Sequence, residues 1–254
     1  MVSFLKISFD FGVRPIGTSP FLFDIMKLTT MNPYIKIDRT KLKLVDGFKI
    51  RNTLDDDFVI LHGFSTRASH YLPKFYIPQG EWWLDHRFKD ELDFFVRAED
   101  TLNELMETLS YHEAREELKK IICLPPPVPP YEVKREAGDG YSLVMVDGKV
   151  IRQYIDPEFV FGGHDLVYPY VPKGEIWLDV NMDPTEVPYV LLHEKVERDL
   201  MAQGKSYDMA HDFAVASEKE LRRNNGVGAY PGEEAHPWKG KTNEELAQEF
   251  YFQT

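Results

Sequence analysis

The sequence predicts an α+β fold in which one unit is used twice, and three observations predict it. Tyr76-Ile-Pro-Gln-Gly-Glu-Trp-Trp-Leu-Asp85 returns as Tyr170-Val-Pro-Lys-Gly-Glu-Ile-Trp-Leu-Asp179. Upstream of each copy stands a second matching pair, Asp46-Gly-Phe-Lys-Ile-Arg51 and Asp147-Gly-Lys-Val-Ile-Arg152. Downstream, Leu105-Met106 and Ser110-Tyr111 answer Leu200-Met201 and Ser206-Tyr207. Matches that keep one order over such a length mark an internal duplication. Each copy reads as short antiparallel strands ending in the Gly-Glu-x-Trp-Leu-Asp strand, followed by a helical hairpin.

In chain order, residues 1-45 open with the alternating runs Phe4-Leu-Lys-Ile-Ser-Phe9 and Tyr34-Ile-Lys-Ile37, expected as N-terminal strands. Residues 46-123 form the first repeat. Leu124-Pro-Pro-Pro-Val-Pro-Pro130 begins a stiff, polyproline-like linker expected over 124-140. It is compatible with two units sharing a core and with two units side by side. The second repeat covers 141-223. Residues 224-254 begin as a Gly- and Pro-rich loop, after which Thr242-Asn-Glu-Glu245 forms a capping box that starts a C-terminal helix.

The second hairpin is the best defined. Leu191 to Met201 makes its first helix and Tyr207 to His211 begins its second, with Gly204 just past the end of the first and Ser206 as N-cap of the second. On the first helix His193 and Glu197 stand one turn apart on a face shared with Tyr189, Val196 and Leu200. Ala210 and Ala214 flank His211 and allow a close approach. Because Glu197 and His211 are about equally far from the bend, two imidazoles and a carboxylate converge inside the hairpin. Burying such groups is costly unless they pair or bind a metal. They read either as a hydrogen-bonded network or as a Zn²⁺ site of two His and one carboxylate, with water at the fourth position.

The duplication gives an internal comparison. Residues common to both copies, such as Trp83 and Trp177 or Tyr111 and Tyr207, are assigned to the scaffold. The three ligand candidates have no counterparts: His193 aligns with Ala98 or Glu99, Glu197 with Leu102 or Asn103, and His211 with Arg115. A second His-Glu-x-x-Glu run, His112 to Glu116, is explained by a Ser110–Glu113 capping box. Glu218 reads as an exposed salt-bridge residue or as a group that replaces or orients a ligand. His62, His164 and His236 fall in expected loops with nothing to single them out.

With Glu194 beside His193, this segment resembles the zincin metallopeptidases, whose His-Glu-x-x-His helix carries two zinc ligands and a glutamate base. The resemblance covers residues 193-211. It implies metal ligands His193, Glu197 and His211 and a general base Glu194, although Glu stands where the family has its second His. It also suggests that Glu175 to Asp179 borders the cleft. The function implied is a zinc-dependent hydrolase, peptidase-like, acting on a protein or peptide. The alternative is a non-catalytic scaffold or protein-interaction module, of phage or mobile-element derivation, whose His/Glu cluster is structural.

Composition narrows the classes. Lys+Arg 30 against Asp+Glu 42 gives a net charge of −12, which argues against general nucleic-acid binding. The single cysteine, Cys123, excludes an internal disulfide and is expected as a small buried hydrophobe. No run is long and apolar enough to span a membrane, and Lys6 and Asp10 break any signal-peptide core. The expected location is cytoplasmic, or virion-associated if phage-derived. No phosphate-cradling glycine loop, serine nucleophile elbow or cysteine cluster is present.

Overall fold

The structure, a computed structural model, describes residues 36-55, 58-63, 74-227 and 240-253, which belong to one compact unit spanning Tyr34–Thr254. The first half runs β1 (Leu42–Val45), α1 (Gly47–Thr53), β2 (Leu61–Gly63), β3 (Trp82–Asp85), α2 (Leu92–Leu105) and α3 (Tyr111–Ile122). After β4 (Glu132–Ala137), the second half runs β5 (Ser142–Val146), α4 (Gly148–Tyr154), β6 (Gly162–His164), β7 (Glu175–Asp179), α5 (Val187–Ala202) and α6 (Tyr207–Asn224). The short helix α7 (Asn243–Ala247) follows. The class is α+β, with strand order β1-β3-β2 in one sheet and β4-β5-β7-β6 in the other.

The two halves repeat element order, pairing and register. Leu84 lies opposite Leu44 on one side and Leu61 on the other, as Leu178 lies opposite Met145 and Gly162. Trp83 and Trp177 occupy the same position, each buried and each donating its indole N–H to a glutamate two residues earlier, Glu81 at 3.0 Å and Glu175 at 2.8 Å. Gly80 and Gly174, with φ of 81° and 84°, make the same left-handed turn into the strand.

Several expectations are corrected. The sheets are mixed, because β1 runs parallel to β3 and β5 parallel to β7. A parallel pair needs a crossover, and α1 with β2, or α4 with β6, supplies it. The repeated Asp-Gly segments are therefore the N-termini of short helices; Asp46 accepts from the Lys49 N–H and Asp147 from the Lys149 N–H. β1 is part of the first sheet and lies just ahead of residue 46, where the first repeat is expected to begin. Lys36 and Ile37 form no strand, as the Ile37 N–H is taken by Asp100 Oδ1 at 3.0 Å. The run Phe4 to Phe9 lies outside the described residues. Within the expected linker, residues 132-137 are β4, an exposed edge strand whose charges blunt it against further pairing. Cys123 is half-buried and ends α3.

The halves share a core in which Leu84 and Phe88 meet Leu143, Phe161, Ile176 and Leu178. They also exchange charges. Buried Arg152 of the second half donates to its own Asp179 at 2.8 Å and to Glu91 of the first at 2.6 Å. Buried Arg51 of the first contacts its own Asp85 at 3.4 Å and Glu186 of the second at 3.2 Å. Glu91 and Glu186 are equivalent, each standing just before the first hairpin helix of its half. The glycine after each Asp cap makes room for this network: a Cβ on Gly148 would lie 2.0 Å from Asp179 Oδ2, and one on Gly47 2.1 Å from Asp85 Oδ2.

A candidate metal centre in the second hairpin

The α5–α6 hairpin forms for the reasons legible in its sequence. Pro188 fits the first turn of α5, where its missing N–H is not needed. Gly204 takes φ 87° at the bend, and the Ser206 side chain caps α6 by accepting from the Met209 N–H. Ala210 and Ala214 are fully buried in the helix contact.

His193, Glu197 and His211 meet there as expected. His211 Nδ1 lies 2.8 Å from Glu197 Oε2 and 3.3 Å from His193 Nε2, and His193 Nε2 lies 3.8 Å from Glu197 Oε2. Those edges bracket the edge of about 3.3 Å that joins ligands of a tetrahedral zinc ion at about 2.0–2.1 Å. The other nitrogen of His193, Nδ1, faces Glu218 Oε2 at 3.1 Å. A proton on Nδ1 donated to this carboxylate leaves Nε2 with its lone pair toward the triangle, the carboxylate–histidine arrangement common behind metal ligands. Glu218 is thus not an exposed surface residue. Arg222 holds its Oε1 at 2.7 Å and in turn grips Glu186 Oε2 at 2.5 Å, tying the hairpin to the junction of the two sheets.

The electrostatics follow from burial opposed by pairing. Burial works against charge on His193, but Glu197 and Glu218, with Glu194 nearby, push its pKa up to about 10. Burial also opposes ionisation of Glu197, yet His164, His193 and His211 hold it well below the usual carboxylate range. Among the described residues Glu194 has no such donors. Burial, reinforced by Glu197 and Glu218 and opposed by His193, pushes its pKa up to about 8.

Sequence reasoning missed His164. It lies in β6, fully buried, with Nε2 3.0 Å from Glu197 Oε1. It also belongs to a second cluster with Glu194 and Glu197, whose ligand-type atoms all lie within 4.8 Å of one another. The available signal was its place: Gly162-Gly-His164 follows Phe159-Val-Phe161 as Leu61-His-Gly63 follows Phe58-Val-Ile60, and the two strands correspond by register. His62 is likewise in a strand, buried, where it accepts the Val59 N–H at 3.1 Å; His236 lies outside the described residues.

The site opens on a cleft of about 910 Å³, which Glu194, Tyr168, Tyr207 and Phe161 also line. The strand at the cleft is β6, the sheet edge, while β7 (residues 175 to 179) is interior; the Glu194 carboxylate packs where a Cβ of Gly162 would stand, 3.0 Å away. Tyr207, assigned to scaffold because of Tyr111, is 47% exposed and stacks on His211 with ring centroids 5.4 Å apart.

The first hairpin shows what the scaffold requires. Counted from the helix starts, Ala98, Leu102 and Ile122 hold the places of His193, Glu197 and Glu218, and all three are buried in an apolar core with Phe94, Ala114 and Leu118. Compared with known proteins, the chain matches no family model, no curated protein and no solved structure.

Proposed function

We propose that the chain is a zinc-dependent hydrolase of the peptidase type, built on a duplicated unit of which only the second copy carries the site. The observation that carries this reading is the triangle of His193 Nε2, Glu197 Oε2 and His211 Nδ1, open to a cleft, in a hairpin whose counterpart has apolar Ala98 and Leu102 in place of His193 and Glu197 and Arg115 in place of His211. The donor set suits zinc, and the distances fit it. A zinc ion held there supplies Lewis acidity and an activated water. His193 and His211 bind it through neutral nitrogens, Glu218 keeps the His193 proton on Nδ1, and Glu194 is the general base. The base role fits a carboxylate at the cleft that takes up a proton near neutral pH.

Wild type and Glu194→Gln are to be compared on a peptide library and for self-cleavage. Turnover lower by about 10²–10⁴-fold in the variant, with zinc retained, supports the reading. Equal turnover removes Glu194 from the mechanism. The rival reading, a non-catalytic interaction module with a structural cluster, draws on the closed hydrogen bonding of Glu197 with His164 and His211. It expects no turnover in either protein.

A further inference from the structure

His164 stands against both Glu197 and Glu194, which raises two possibilities: it ligates a second metal, or it serves the first. The tautomer decides between them. His164 Nδ1 lies 3.2 Å from the backbone N–H of Leu166, and a backbone N–H can only donate. Nδ1 therefore presents its lone pair, and the ring proton sits on Nε2. From there it points at Glu197 Oε1, 3.0 Å away. A nitrogen that carries a proton has no lone pair for a metal. For Nε2 to become a ligand, the proton would have to move to Nδ1, against the Leu166 N–H, and Glu197 Oε1 would lose its donor.

Resting on the metal reading above, we propose that His164 is a positioning residue: it holds Glu197 by Oε1, so that this carboxylate offers Oε2 alone to the His193–His211 pair. The cluster of His164, Glu194 and Glu197 is then not a second metal site. The division of labour is visible on Glu197 itself, since Oε1 faces His164 while Oε2 faces His211 at 2.8 Å. One-oxygen binding keeps the donor number at three, as in catalytic zinc sites, whereas a two-oxygen carboxylate suits larger oxygen-preferring cations. The internal comparison agrees. By strand register Gly63 corresponds to His164, and by helix position Leu102 corresponds to Glu197, so the half without the carboxylate also lacks its donor.

The test uses the full chain labelled with ¹⁵N. Long-range proton–nitrogen spectra report which histidine nitrogen carries the proton, and the His164 signal is assigned by its loss in His164→Gln. The expected result is a proton on Nε2 and a lone pair on Nδ1, in metal-free and zinc-loaded protein alike. A proton on Nδ1, or an Nε2 signal moved to that of metal-bound imidazole, overturns the proposal.

Zinc affinity provides the second arm. His164→Gln keeps an N–H donor near the place of Nε2 and should bind zinc as wild type does. His164→Leu removes the donor and should bind about 10–100-fold more weakly. With Co²⁺ in place of zinc, His164→Leu should weaken the visible absorption of the four-coordinate ion as Glu197 turns to bind by both oxygens. Equal loss in the two variants, no loss in either, or two zinc ions per wild-type chain would each overturn the proposal. If His164→Leu does not fold, the wild-type tautomer and the His164→Gln affinity still decide. Wild type that binds no zinc defeats the metal reading itself, an outcome distinct from zinc binding with the wrong tautomer.

Discussion

Replacing Glu194 by Gln should stabilise the metal-free protein by an amount that grows from about pH 4.5 and levels off above about pH 8. Burial pushes the Glu194 pKa from 4.5 to about 8 in the folded chain. A carboxyl group whose folded pKa is raised favours folding fully below its unfolded value and loses that contribution progressively as pH rises from the unfolded value to the folded one. At pH 4 Glu194 is protonated in the fold and largely protonated in the unfolded chain, and Gln is a near-equivalent. At pH 9 the fold must carry a poorly solvated charge that Gln lacks. Each step of one on the pH scale corresponds to about 1.4 kcal/mol, so the cost is on the order of 3 kcal/mol once partial exposure of the carboxylate is allowed for. For a chain of this size, 1 kcal/mol moves the melting midpoint by about 2–4 °C. Thermal melts of the chelator-treated proteins should therefore nearly coincide at pH 4 and differ by about 6–12 °C at pH 9, with Gln the more stable. A variant of equal or lower stability at pH 9, or a gain of the same size at both pH values, refutes the reasoning.

Other expectations follow from the same geometry. Metal must displace the proton that Glu197 and Glu218 hold on His193, whose pKa is pushed up to about 10. Apparent zinc affinity, measured by competition with a chelator, should therefore rise by about tenfold per pH unit toward that value, one proton being released. Gly148→Ala should destabilise by about 3–5 kcal/mol in urea melts, because its Cβ would collide with Asp179 and break the buried Arg152 pair. Gly204→Ala, at a φ of 87°, should cost about 1 kcal/mol in the same melts without altering zinc affinity.

The α5–α6 hairpin was legible because its evidence is local. Ser206 and Gly204 mark its bend, and the spacing of His193, Glu197 and His211 fixes their heights once both helices are assumed. The recurrence of the Trp83 and Trp177 strands also followed from the repeat. What escaped depends on contacts remote in sequence. His164 faces Glu197 only because β6 is the sheet edge beneath α5, and nothing in Gly-Gly-His announces an edge. For Glu218 the sequence left two readings, an exposed salt-bridge residue or a group that replaces or orients a ligand, because Arg222 and Glu186, which bury it, belong to a network spanning both halves. The helices α1 and α4 were hidden by brevity, since seven residues hold too little periodicity to separate a helix from a strand. Parallel pairing of β1 with β3 was invisible for a similar reason, as period-two alternation does not encode strand direction.

Metal content tests the central claim most directly. The full chain, stripped with a chelator, returned to zinc and freed of excess by gel filtration, should hold one zinc per chain by elemental analysis, with a higher melting midpoint than the stripped protein. His211→Ala should hold none above background and show no zinc-dependent shift. Wild type without zinc above background, or His211→Ala that retains it in full, would contradict the assignment of His193, Glu197 and His211 as a metal centre.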